Sequence, residues 1–378
     1  MTFVVVGNPE NRRVTMFQAA LAAQGLPAAR VIAWRQLVEP NAPARMLGEL
    51  PDETILRIDS MGEDDDVERA MLRRGEALAR AEGVPAIGAR ALARIPREVG
   101  RILHPRQAHL GFLAVLGEIE AALRGSWRVL QPPAAIAELF DKRVTSRKWR
   151  ALGVPVPDAL DDVRDPDDLR ERMRAAGWQS VFVKLASGSS ASCLAVFVLR
   201  AGGEHAITTV EDTGDARYNT RRLQRVTGPR LLRLLRFLLG EGAQVERAIP
   251  KAQAGGRHFD LRVLTIDGEP AFFVMRTSPH PITNLHLGGQ RGDLDGLRAS
   301  VPPEAWEAAM ASCRAVQRAS GAFHVGVDLM FEPGLRAHRV IEGNAFGDLL
   351  PNLWRDGLDV YGWQIRRCLE GAGAARAG

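Results

Sequence analysis

The sequence predicts a mixed α/β and α+β protein: an N-terminal parallel α/β domain, a small central α+β domain and a C-terminal domain with a large antiparallel sheet. Three observations predict it. The first hundred residues alternate short apolar runs with amphipathic stretches, the pattern of βαβ units. The middle alternates helical and hairpin spacing. The last third carries closely spaced apolar runs, two of them joined by Asp267-Gly268, a two-residue hairpin signal.

Thr2 to Gly7 is an apolar run broken by Asn-Pro, a buried strand entering a loop. An amphipathic helix over Arg13 to Gln24 and a strand over Ala29 to Trp34 complete the first unit. Thr54 to Ile58 supplies a further strand before an acidic helix start at Gly62 to Glu68. Helical spacing returns from Gln107 to Leu123, and Pro132-Pro133 marks a turn into a new unit. A helix over Asp141 to Leu152 then ends at Gly153, where the prolines of VPVP force an extended chain.

The central unit reads as a helix (Pro166 to Ala176), a strand (Ser180 to Leu185), a Gly/Ser loop, a strand (Leu194 to Leu199) and a polar, pattern-poor stretch, Gly203 to Thr227, expected to be a mobile loop. A leucine-rich helix follows over Pro229 to Leu239. Strands are expected at Ala243 to Ile249, Asp260 to Ile266, Ala271 to Arg276, Val325 to Phe331 and His338 to Glu342, with a helix at Pro303 to Ser320. The expected boundaries are 1–130, 131–243 and 244–370, with 371–378 a flexible tail because GAGAARAG has no core-forming residue.

Composition narrows the function class. At 378 residues, with 46% hydrophobic and 25% charged residues, the chain is that of an ordinary soluble globular protein. No apolar run reaches the 18 to 20 or so residues of a membrane helix, and the N-terminal run is too short for a signal peptide. Three widely spaced cysteines suggest neither disulfides nor zinc, so a cytoplasmic, reducing location is expected. The net charge of +5 is spread among 45 acids rather than gathered in a tail, which argues against nucleic acid as the main partner.

The chain has only four lysines, Lys142, Lys148, Lys184 and Lys251, so 50 − 4 = 46 of its basic Lys+Arg residues are arginine. A compact ammonium on a slim stem is what a cleft keeps when it must slide one charge between phosphate oxygens. Carboxylates give a second signal. Asp328 lies in an apolar strand and Glu342 and Asn344 end the next, so in a hairpin all three would share a face. A buried acid cluster of that kind needs a cation, and oxygen-only ligands favour Mg²⁺ or Mn²⁺. The alternative is that Asp328 pairs with a buried arginine such as Arg276.

Four segments in order, DKRVTSRKWRALGVPVP (141–157), VFVKLASGSS (181–190), QVERAIPKAQ with HFDLRVL (244–264), and GVDLM with RVIEGNAF (326–346), resemble the ATP-grasp superfamily, most closely its RimK-like and glutathione-synthetase-like carboxylate–amine ligases. The resemblance covers about residues 130 to 365. It implies an ATP-grasp fold whose central domain is a lid, with Lys142 and Lys184 on ATP phosphates. A phosphate loop would contain Gly188, Ser189 and Ser190, although Ala191 and Cys193 stand where relatives carry glycine. Adenine would hang on the backbone around Glu246, Arg247 and Ala248, with Asp260 beside the ribose. Asp328, Glu342 and Asn344 would hold two Mg²⁺ or Mn²⁺ ions. Arg262, Arg276 and Asn284, in TNLHLGG, would face the transferring phosphoryl group and an acylphosphate; Ile282 replaces an arginine common in relatives.

The implied activity joins a small-molecule carboxylate, an amino acid or peptide, to an amine with release of ADP and phosphate. Two other functions stay open: phosphoryl transfer without ligation, and noncatalytic nucleotide or nucleic-acid binding. Lys251 has no assigned role, and Lys148 is expected to be an exposed helix charge. Arg12 and Arg13, after the first strand, are candidate ligands for a substrate carboxylate, and His258, His280 and His286 are candidate acid–base groups.

Overall fold

The computed structural model describes residues 2–62, 64–188, 193–347 and 349–376. Ser189 and Ser190 of the expected phosphate loop lie outside the described residues.

Four parallel strands, Arg30–Ile32, Thr2–Val6, Thr54–Ile58 and Arg128–Val129 in spatial order, form the N-terminal sheet. Helix Asp65–Glu82 starts where the Asp64 side chain accepts from the amides of Asp66 and Val67. It crosses helix Pro105–Ala121 at two glycines. A Cβ on Gly75 would lie 1.9 Å from the Gln107 carbonyl, and one on Gly111 1.9 Å from that of Met71, so only glycine permits this approach.

The central sheet has six strands in the order Ala159–Leu160, Ala243–Arg247, Ser180–Leu185, Leu194–Arg200, Gly203–Asp212 and Arg217–Val226, all antiparallel. Helices Pro166–Ala175 and Gly228–Gly240 cover one face, burying Leu169, Leu231, Leu235 and Leu238 against Val181, Val183 and Phe197. Two expectations are corrected here. Gly203 to Thr227 is no loop but a hairpin at the sheet edge; one face alone is covered, so few of its residues need be apolar and the strand pattern is faint. Ala243–Arg247, expected to open the C-terminal domain, sits inside the central sheet, so that unit extends past residue 243.

The C-terminal sheet runs Gln290–Arg291, Glu269–Ser278, Arg257–Ile266, His324–Phe331 and His338–Asn344. Helix Pro303–Ser320 packs on one face, and Ala309, Cys313 and Val316 share a core with Leu261, Val263, Val325 and Val327. Residues of opposite parity, Asp260, Arg262, Asp328 and Glu342, therefore point away from that helix. The Asp267-Gly268 turn has φ of 49° and 81°, the left-handed pair a tight two-residue hairpin requires.

Helix Val360–Arg376, not anticipated, runs through most of the segment expected to fray. Tyr361, Ile365 and Cys368 pack on Phe3 and Phe17, while Val360 and Trp363 pack on Leu264 and Phe272, so the helix ties the N- and C-terminal sheets together. Among the described residues no helix is long and apolar enough to cross a membrane.

Candidate active site

Between the central and C-terminal sheets lies a cleft of about 900 Å³ of open space. Lys142, Lys184, Gly188, Glu246, Arg247, Asp260, Arg276, Asn284, Asp328 and Glu342, all singled out from sequence, line it together. Phe182, Leu194 and Ile249 from the central side, with Met330 and Ile341 from the acid hairpin, give one end an apolar slot.

Asp141 builds the first lysine site. Its side chain accepts from the amides of Arg143 and Val144 and from the Arg143 guanidinium, fixing the start of helix Lys142–Ala151. Burial raises the carboxyl's pKa, but the bonds from Arg143 and the helix amides outweigh it and bring it to about 2. The adjoining Lys142 ammonium thereby reaches the carbonyls of Ala186 (3.5 Å) and Gly188 and lies 3.1 Å from Glu342 Oε1. Lys184 stands opposite Gln244 on the neighbouring strand, and its Nζ lies 2.6 Å from Glu246 Oε1.

The strand register assembles the other charges. Asp260 is opposite Arg276, Arg262 opposite Asp328, Asp328 opposite Glu342, and Gly326 opposite Asn344. Arg262 grips both Asp328 oxygens (2.5 and 3.1 Å), and Arg276 spans Asp260 Oδ1 (2.7 Å) and Asp328 Oδ1 (3.0 Å). The alternative in which Asp328 pairs with Arg276 thus coexists with its place in the acid hairpin. Burial opposes ionisation of both aspartates, yet Lys251 and Arg276 hold Asp260, and Arg262 and Arg276 hold Asp328, below the usual carboxylate range. Burial likewise lowers the Arg276 pKa, and the two carboxylates more than reverse that.

Lys251 is part of this chain of charges. Its ammonium lies 3.1 Å from Asp260 Oδ2 and 2.8 Å from Thr283 Oγ1, and Thr283 also donates to Asp260. Three of the four lysines therefore face one cleft. The fourth, Lys148, is not a free helix charge: it bonds both Glu138 oxygens at 2.8 Å and the Ala319 carbonyl at 2.7 Å, tying its helix to Pro303–Ser320. The role of Thr283 and the apolar slot went unnoticed in the sequence; the TNLHLGG motif that Thr283 opens was the available signal for the first.

Several expected contacts are displaced. The amides of Arg247 and Ala248 already donate to the carbonyls of Asp158 (2.8 Å) and Ser180 (3.1 Å), and Glu246 is paired in register on both sides; the next residue lining the cleft is Ile249. Both Asp260 oxygens are engaged by side chains, Oδ1 by Arg276 and Oδ2 by Lys251 and Thr283, while the residue still lines the cleft. Arg13 donates to the Phe346 carbonyl at 2.7 Å and serves as a tie between domains rather than an open anion site; Arg12 is exposed. Arg262, Ala248 and Asn344 are not among the residues that line the cleft, and the Asn344 side-chain amide donates to the Gly326 carbonyl at 3.0 Å. His258 and His280 do not line the cleft, and the His286 side chain lies outside the described set. Cys193, where relatives carry glycine, is buried at φ 52°, the left-handed conformation that glycine adopts most easily.

Among the described residues no three His, Cys, Asp or Glu side chains form a ready metal cage. The hairpin offers two carboxylates and an amide, all able to present oxygen. That set fits Mg²⁺ or Mn²⁺, which take one or two carboxylates and complete their shell with phosphates and water.

No protein-family model matches the chain, and no curated protein matches it. Solved structures do. The ATP-grasp ligase PsnB, complexed with a phosphomimetic variant of a minimal precursor, Mg and ADP, superposes with a TM-score of 0.54 at 17% identity, over 98% of this chain and 98% of that one. Macrocyclase MdnC, bound with precursor peptide MdnA from Microcystis aeruginosa MRC, gives 0.54 at 13% identity, over 98% and 100%. The D-cycloserine synthetase DcsG gives 0.54 at 14%, over 98% and 100%. The chain has the ATP-grasp fold.

Proposed function

We propose that the protein is an ATP-dependent carboxylate–amine ligase that activates an acid as its acylphosphate and joins it to an amine. One observation carries the proposal: Lys142, Lys184 and the register-paired Asp328 and Glu342 converge on one cleft that Phe182, Leu194, Ile249, Met330 and Ile341 also line. Adenine enters between Phe182, Ile249 and Met330, its polar edge toward the backbone at Ile249, and the phosphates extend toward the lysines. Asp328, Glu342 and Asn344 would hold Mg²⁺ or Mn²⁺, which when bound neutralises phosphate charge and orients the γ-phosphoryl group.

The γ-phosphoryl passes to a carboxylate oxygen of the acid, with ADP leaving. The amine then attacks the acyl carbonyl, phosphate leaves, and the nitrogen gives up a proton to form the amide. Lys142 and Lys184 screen the repulsion between triphosphate and carboxylate, and Arg276, backed by Arg262, faces the charge that develops during transfer. Asn284 and the Gly288-Gly289 turn position the acid. No side-chain nucleophile is required. PsnB and MdnC are described with precursor peptides and DcsG as a synthetase of D-cycloserine, which supports an amino-acid or peptide acid as substrate.

The test is an ADP-release screen over pools of carboxylic acids and amines, with product masses measured. The proposal expects steady ADP release only when acid and amine are both present, and a product heavier than the acid by the amine minus water. Steady release with a phosphorylated product would instead establish phosphoryl transfer without ligation.

A further inference from the structure

The carboxylates assigned to metal carry the chain's own cations. Asp328 holds Arg262 and Arg276, and Glu342 holds Lys142, so three positive groups lie within 3.1 Å of two carboxylates. They are not held alike. Arg262 binds Asp328 through two nitrogens and Arg276 is anchored on Asp260 as well, which makes both part of the sheet. Lys142 touches Glu342 with a single ammonium on a flexible stem, and the same ammonium bonds the Ala186 and Gly188 carbonyls at the base of the phosphate loop. A divalent ion arriving at Glu342 alone would share that one carboxylate with the ammonium, with no phosphate to offset the repulsion between the two cations.

From this arrangement we infer that Lys142 plugs the metal site and makes divalent-ion binding conditional on nucleotide. The inference rests on the ligase reading and assigns its binding order. Phosphate is a stronger partner for the ammonium than two loop carbonyls. As the triphosphate enters, Lys142 turns to it, Glu342 is released, and phosphate oxygens complete the ion's shell. Nucleotide and ion then bind as a unit, and the free ion does not occupy the site in advance. Lys142 thus acts twice, as a phosphate ligand and as the gate on Glu342, which explains why the least exposed of the cleft's flexible cations stands between the two.

The test uses Mn²⁺ as the probe, counted by the electron paramagnetic resonance of the free ion, on the full chain. In the wild type, Mn²⁺ should bind weakly alone and at least about tenfold more tightly with ADP. Lys142→Met should raise the affinity for Mn²⁺ alone by about tenfold or more, and adding Glu342→Gln should abolish that gain. Lys142→Gln, which keeps a polar group for the loop carbonyls, should behave as Lys142→Met and covers the case in which the methionine variant misfolds. If ADP tightens Mn²⁺ binding in the wild type but neither variant gains affinity for Mn²⁺ alone, the gate is wrong and the ligase reading stands. Equal wild-type affinity with and without ADP also overturns the gate, and failure to bind ADP at all overturns both.

Discussion

The ammonium of Lys184 lies 2.6 Å from the Glu246 carboxylate, with 11% and 7% of the two side chains exposed. Glu246 is therefore first a counter-ion that fixes the position of the lysine proposed to bind phosphate. Removing one member of such a buried pair typically costs about 3–5 kcal/mol. Glu246→Ala should lower the melting temperature clearly, and ATP with Mg²⁺ should raise it again by more than in the wild type, because phosphate replaces the missing partner. Thermal unfolding with and without nucleotide reads both effects. Lys184→Ala should abolish ATP turnover outright.

The two acids of the hairpin should respond differently. Glu342 is the more exposed and touches one lysine that two loop carbonyls also hold, so Glu342→Ala should abolish ADP formation while circular dichroism and melting change little. Asp328→Ala takes a carboxylate from each of two buried guanidinium groups, Arg276 keeping Asp260, and a loss of about 3–5 kcal/mol of stability should accompany its loss of activity. Equal stability of the two variants would contradict the ion-pair chain.

Asp260 links Lys251 to Arg276, and its depressed pKa sets a sign. Its contribution to stability is present above the ordinary aspartate range and is lost as pH falls through that range toward the folded value. Lys251→Met removes one of the charges holding the carboxyl down. Denaturant midpoints measured from neutral pH to about pH 3 should fall less steeply through the ordinary aspartate range in this variant than in the wild type, because the folded and unfolded carboxyls then differ less.

Glu241 works in the opposite direction. Its carboxylate, 5% exposed, accepts from the Arg106 amide at 3.0 Å, so the central domain caps helix Pro105–Ala121 of the N-terminal domain. Burial pushes it up to about 7, against the Arg106 amide and the Arg217 charge. Its stabilisation is therefore full below the ordinary glutamate pKa and is lost as pH rises to about 7, a change on the order of 3 kcal/mol. Glu241→Gln should flatten the stability profile between about pH 5 and pH 8, which urea unfolding across that range checks.

The site was legible in sequence to the extent that strand geometry and scarcity determine it. Period-two spacing and a hairpin were enough to pair Asp328 with Glu342, with Asn344 on the same strand as Glu342, and the shortage of lysine marked Lys142 and Lys184. Partners contributed by distant segments were not legible. Nothing near Lys251 announces Thr283, and no local pattern ties Lys142 to Glu342, 200 residues later in the chain. The arginine-rich edge hairpin at Gly203 to Val226 buries one face, so its alternation was hidden by polar residues on the other. Helix Val360–Arg376 was missed for the converse reason: two sheets contact it on different sides, leaving no single apolar stripe to read.

The central claim is that a carboxylate is activated by ATP as an acylphosphate. Once the screen supplies an acid, the most direct measurement is oxygen transfer: label both carboxylate oxygens with ¹⁸O, run one turnover with ATP and amine, and weigh the released phosphate. Acylphosphate formation leaves a single ¹⁸O atom in each phosphate and one in the amide carbonyl. Phosphate that carries no label would contradict it.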